Sequence, residues 1–199
     1  MSDYPKRVER VTVQPEHVGG MEGYLLRRPL DIEAPMKGTI LWVNSMGLKV
    51  WRLCDGKTGL RKIAETVERE RGIPWPEALN RTLRFLLRLM EYGMIRWKSP
   101  FADNMIFKRN EAIVSLRQTQ YSWIVFHTGT CRSIAVNSLD KRILELCDGK
   151  NTFSEILSKL SNEYRGSSAA MRNYLESFIK KSLKEDLVSL TDLKRKGST

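Results

Sequence analysis

The chain has 199 residues, of which 41% are hydrophobic and 29% charged, and its formal net charge at pH 7 is +11. No apolar run approaches the roughly 20 residues that cross a bilayer, and the charged N-terminus lacks a signal-peptide core, so we expect a cytoplasmic protein. Three cysteines without a C-x-x-C pair, and only two histidines, argue against a disulfide framework or a structural zinc site. The basic charge favours an anionic partner, which could be nucleic acid, an acidic peptide or an acidic protein face.

The chain begins with segments rich in β-branched and aromatic residues. They predict strands at Gly23–Arg28 and Gly38–Val43, with Val8–Val13 as a candidate additional strand. The segment Pro29–Lys37 is less regular. We therefore expect a small sheet with an irregular connection.

Three helices are predicted next. Asn44 is a candidate N-cap of the first helix, and Gly56 suits the left-handed conformation at its end. The second helix is predicted near Leu60–Arg71 and the third at about Glu77–Tyr92, where apolar residues recur at helical spacing. A short closing strand, Met94–Trp97, is expected after them.

The same order recurs in the second half of the chain. Val43–Ser45 recurs as Val136–Ser138, and Leu53–Lys57 recurs as Leu146–Lys150, both at an offset of 93 residues (136 − 43 and 146 − 53). Two identical strings at one offset indicate an internal repeat.

The second copy has more regular strand patterns than the first. Its predicted elements are strands Ala112–Arg117, Tyr121–His127 and Cys131–Val136, a helix from Asn137 to Gly149, helices Phe153–Tyr164 and Ala169–Lys184, and a closing strand Leu187–Leu190. The fold class predicted is α+β: two tandem winged-helix-like modules, each a three-stranded antiparallel sheet with a three-helix bundle. We place the modules at 1–99 and 104–192 and a basic tail at 193–199.

The third helix of each copy carries more apolar surface than one packed face requires. In the first copy the apolar positions cover an arc of roughly 200°, against roughly 100° for a helix packed on one face. The sheet, the other copy or a partner would cover the excess. Arg81, Arg84 and Arg88 lie on the opposite side, as a solvated basic face or a patch for acidic groups.

The order of these elements resembles the PqqD family. The residues that carry the resemblance are Ile40–Ser45, Val50–Thr58 and Ile63–Ala64 in the first copy, and Ile134–Ser138, Ile143–Thr152 and Ile156 in the second. The resemblance implies a module that recognises the leader of a ribosomally made precursor peptide, binds it as an added strand beside the third helix, and presents it to a modifying enzyme, often a radical SAM enzyme. This chain departs from the family in being a tandem, and the irregular early strands of its first copy count against peptide binding there.

The resemblance also implies where the peptide would bind. The edge strands would contribute Thr39, Ile40, Leu41, Trp42, Arg132, Ser133, Ile134 and Ala135. From helical phase, the walls would contribute Leu83, Arg84, Leu87, Arg88, Leu175, Ile179 and Lys180. Positive walls would suit an acidic leader.

We find no motif that predicts catalysis. There is no G-x-G-x-x-G, P-loop or H-E-x-x-H, and Cys54 and Cys147 lie on apolar helix faces. We therefore predict a non-enzyme without cofactor or metal.

Two other functions fit the same sequence. A nucleic-acid-binding tandem winged helix would use the +11 charge and the basic third helix. A scaffold subunit would dock on an enzyme without touching peptide.

Overall fold

The computed structural model describes residues 4–28, 40–117, 119, 122–164 and 167–193. The chain divides into two compact units, Met1–Pro100 and Phe101–Thr199. Each unit combines helices with small antiparallel sheets, which confirms the predicted α+β class and its repetition in two modules. None of the described helices is long and apolar enough to cross a membrane.

The first unit contains five strands and three helices among its described residues. They are β1 (Lys6–Arg7), β2 (Thr12–Val18), β3 (Met21–Arg27), β4 (Ile40–Val43), α1 (Ser45–Leu53), α2 (Leu60–Arg71), α3 (Trp75–Glu91) and β5 (Ile95–Arg96). One sheet has the order β2-β3-β4, and β1 pairs with β5.

The strand expected at Val8–Val13 lies further along the chain, as β2, and it forms a hairpin with β3. Gly19 and Gly20 have φ of +58° and +79° and form a two-residue turn, so the strands pair without interruption on either side. Pro15 is tolerated because β2 is an edge strand. The irregular connection Pro29–Lys37 lies outside the described residues.

The second unit repeats this plan. Its elements are β6 (Met105–Arg109), β7 (Ile113–Arg117), β8 (Ser122–His127), β9 (Arg132–Asn137), α4 (Ser138–Leu146), β10 (Asp148–Thr152), α5 (Phe153–Tyr164), α6 (Ser168–Lys184) and β11 (Val188–Leu193). One sheet has the order β7-β8-β9 and the other β10-β6-β11. The connection between β7 and β8 is described only at Thr119, and the tail beyond Leu193 lies outside the described residues.

Each unit has a second small sheet that the sequence did not predict. The first strand of the unit, β1 or β6, pairs with its last strand and also contacts the turn after its first helix. The Arg7 N–H donates to the Cys54 carbonyl at 2.7 Å, and the Arg109 N–H donates to the Cys147 carbonyl at the same distance. The closing strands therefore exist, but they pair with the start of the unit.

An aromatic cluster anchors the second unit. The rings of Phe101, Phe107 and Phe153 are 0–1% exposed, and their centroids lie 5.9–6.5 Å apart. The predicted start at residue 104 left Phe101 out, although its ring is part of this core.

The first helix of each unit begins as predicted but ends earlier. Asn44 accepts the Gly47 N–H and Asn137 accepts the Asp140 N–H, both at 2.8 Å, which confirms the two N-caps. The helices end at Leu53 and Leu146. The glycines predicted to end them lie further on, Gly56 in a turn and Gly149 in the irregular start of β10.

That turn is organised by the aspartate before each glycine. Gly56 has φ +80°, and the Asp55 carboxylate accepts the N–H groups of Lys57 and Thr58 at 2.8 and 2.7 Å. These donors hold the pKa of Asp55 below its ordinary value. The Asp-Gly pair thus shapes the turn after the helix, in which a left-handed residue is needed.

Candidate functional site

In each unit the strand that immediately precedes the first helix, β4 or β9, lies at an edge of its sheet. Among the described residues, β4 pairs only with β3, and β9 only with β8. On β4, Leu41 and Val43 are buried at 4% and 3% exposure, whereas Ile40 is 47% exposed. Thr39, the first residue predicted for this edge, lies outside the described residues.

The hydrogen bonds of the second unit show which main-chain groups face the open edge. The Ser122 N–H donates to Thr119 Oγ1 at 3.1 Å, and the Asn137 N–H donates to Asp140 Oδ2 at 3.2 Å. Ser122 and Asn137 are opposite each other in the register of β8 and β9, yet the N–H of neither residue donates to the opposite strand. We infer that the N–H of Asn137 faces away from β8.

Main-chain groups alternate in direction along an antiparallel pair. Counting back from Asn137, the outward positions on β9 are Ala135 and Ser133, while Ile134 faces β8. At the repeat offset of 93, the outward positions on β4 are Trp42 and Ile40. These positions can bond an added strand.

A groove of about 700 Å³ runs beside β4 in the first unit, between that strand, the start of α1, the end of α2 and α3. Its apolar lining includes Ile40, Val43, Met46, Val67, Phe85 and Tyr92. Gly47 keeps the groove open at the start of α1, because a Cβ there would lie 3.0 Å from Val43 Cβ and 3.1 Å from the Phe85 ring.

The charged residues that line the groove are basic. Arg71, Arg81 and Arg88 line it, and none of its described lining residues is Asp or Glu. Arg81 pairs with Glu77 one turn earlier on α3, at 2.5 Å, and the Arg88 guanidinium lies 5.8 Å from the centre of the Tyr92 ring. The groove therefore offers apolar pockets edged by guanidinium groups.

The structure places most of the residues predicted for the wall on α3 away from this groove. Leu83 and Leu87 are 0% and 5% exposed and lie in the core, and Arg84 does not line the groove. Only Arg88 does. The residues of α3 that do line the groove include Thr82. They lie on the other side of the helix, where the apolar arc meets the arginines.

The residues predicted for the site in the second unit lie partly on the edge strand and partly in the core. Arg132, Ser133, Ile134 and Ala135 are all in β9 as expected. Leu175 and Ile179 on α6 are 0% exposed, so they belong to the core and not to a wall. Lys180 is half-buried on the same helix.

The cysteines differ in accessibility. Cys54 and Cys147 are 0% and 1% exposed, and burial raises the pKa of each thiol to about 12, whereas Cys131 is exposed. We expect Ellman's reagent at neutral pH to modify one thiol per native chain quickly and the other two only after unfolding. Fast reaction of a second thiol in the native protein would contradict this burial. Among the described residues, no cluster of His, Cys, Asp or Glu could hold a metal ion.

The repeated modules are those of a known family. The family model for coenzyme PQQ synthesis protein D (PqqD) matches residues 10–95 and 122–188, well over half of the chain. The chain therefore belongs to the PqqD family, and the resemblance seen in the sequence is confirmed.

The other comparisons are more distant. A solved structure described as "TbiB1 in Complex with the TbiA(beta) Leader Peptide" is 20% identical, with a TM-score of 0.36; the match covers 41% of this chain and 93% of that one. No curated protein matches the chain.

Proposed function

We propose that this protein recognises the leader of a ribosomally made precursor peptide by adding it as a strand to β4. The observation that carries the proposal is the unpaired edge of β4 beside a groove of about 700 Å³. Strand addition takes affinity from main-chain hydrogen bonds and specificity from pockets for alternate side chains. Membership of the PqqD family supports the same function.

The lining of the groove favours an acidic leader with apolar side chains. Phe85 and Met46 offer apolar contact, and Arg71, Arg81 and Arg88 offer charge-assisted hydrogen bonds to carboxylates. Exposed ion pairs contribute only about 0–1 kcal/mol each, so apolar contact and strand pairing would dominate the affinity.

The protein would act without catalysis, in the cytoplasm, and present the bound peptide to a modifying enzyme. A radical SAM enzyme is the class that the family resemblance implies. The buried thiols of Cys54 and Cys147 fit a structural role better than a nucleophilic one.

Selection of peptides from a random phage-displayed library on the full chain would test this proposal. We expect enrichment of peptides that combine Asp or Glu with apolar residues. Hydrogen exchange with a selected peptide should show protection of amides in β4 and α3. Absence of enrichment, or protection confined to other elements, would refute binding at this groove.

Nucleic acid is the second candidate, because a separate basic cleft lies in the first unit. It is lined by Lys6, Arg7, Val8, Glu9, Arg10, Arg28 and Arg96. Binding of a duplex there should weaken steeply as salt rises, because phosphate contacts release counterions. A peptide held by strand pairing should lose affinity less steeply, so titrations of both ligands at two salt concentrations separate the two functions.

A further inference from the structure

In the second unit, side-chain hydrogen bonds join the end of β9 to α6, at the place equivalent to the groove of the first unit. The Tyr174 hydroxyl donates to Asp140 Oδ1 at 2.7 Å, and the Asn137 side-chain amide donates to the Tyr174 oxygen at 2.8 Å. Asp140 stands in the first turn of α4, and Tyr174 stands on α6. These bonds join the end of β9, the start of α4 and α6.

The same aspartate occupies a main-chain donor of the edge strand. Asp140 Oδ2 accepts the N–H of Asn137, which faces away from β8. Burial, opposed in part by the Asn137 amide, raises the pKa of Tyr174, so its hydroxyl keeps the proton that it donates. Further along the cleft, Arg132 on β9 contacts Glu185 at the end of α6, with Nη1 and Oε2 3.3 Å apart.

The first unit lacks this arrangement at the equivalent positions. At the offset of 93, Gly47 corresponds to Asp140 and Arg81 corresponds to Tyr174. Gly47 has no carboxylate with which to accept the Asn44 N–H or a tyrosine hydroxyl. Both Gly47 and Arg81 line the open groove instead.

We propose that the two modules have different roles in the proposed function: the first receives the peptide, and the second excludes it because Asn137, Asp140 and Tyr174 close its cleft. Asp140 and Tyr174 are then specificity-determining residues that limit the protein to one peptide per chain. The proposal rests on the proposed function and reverses the expectation that the irregular first copy is the weaker binder.

Exchanging the residues between the modules tests the proposal. Isothermal titration of the full chain with a peptide selected from the phage library is expected to give one site per chain. The variant D140G/Y174R, which carries the residues of the first unit, should gain a second site with a Kd within about tenfold of the first. The reciprocal variant G47D/R81Y should lose at least about tenfold in affinity. Because the new side chain at position 47 would crowd Phe85, R81Y alone is measured as well, and circular dichroism checks the fold of every variant.

The outcomes separate the two proposals. No binding by the native chain would reject the proposed function itself. Two sites in the native chain, or one site with amide protection on β9, would keep peptide recognition but overturn the division of roles. A folded D140G/Y174R variant that still binds a single peptide would show that Asp140 and Tyr174 do not close the second cleft.

Discussion

Replacing Ile40 with proline is expected to weaken binding of a selected peptide by about tenfold to a hundredfold. Proline removes the outward N–H and leaves a carbonyl of the peptide without its donor, which costs about 1–3 kcal/mol. An edge strand tolerates proline where its N–H faces away from the sheet, so the pairing of β4 with β3 should persist. Isothermal titration measures the loss.

Two variants control for this change. Ile40→Ala keeps the N–H and removes only side-chain contact, so its loss should be clearly smaller than that of the proline variant. Ser133→Pro makes the same main-chain change at the equivalent position of β9 and should leave affinity unchanged. Equal losses for Ile40→Pro and Ile40→Ala would mean that the main-chain donor contributes nothing.

Replacing Phe153 with alanine is expected to destabilise the second unit by about 3–5 kcal/mol, the usual cost of removing a buried aromatic ring. Its ring stacks on Phe101 with centroids 5.9 Å apart, and the Arg172 guanidinium lies 5.3 Å from its centre. Native-state hydrogen exchange should show the loss as reduced protection of amides in α5 and α6.

Leu60, the equivalent residue in the first unit, provides the matched control. It is 6% exposed, so Leu60→Ala should cost about 2–5 kcal/mol and reduce protection in α2. A loss of less than about 1 kcal/mol for Phe153→Ala would show that the aromatic cluster is not the core of the second unit.

Local sequence signals predicted the helices and their starts well. Both second helices have the predicted bounds, Leu60–Arg71 and Phe153–Tyr164, because apolar spacing marks a packed helix directly. Asn44 and Asn137 cap their helices as expected, since an N-cap depends only on the next three residues.

Features that depend on distant parts of the chain were not predictable in this way. Nothing local indicates that β1 or β6 pairs with the last strand of its unit. Helical phase gave the apolar arc of α3, but not which of its two flanks faces β4. For that reason helical phase assigns Leu83 and Leu87 to the groove, whereas in the structure Phe85 and Arg81 line it.

The pairing of β6 with β11 has a consequence for biosynthesis. The two strands are separated by almost the whole module, so β6 lacks this neighbour until Val188–Leu193 has left the ribosome. The hairpin of β7 and β8 needs only nearby residues and can form earlier. Folding of the module should therefore finish in a late cooperative step, and a nascent chain truncated before Val188 should remain sensitive to protease.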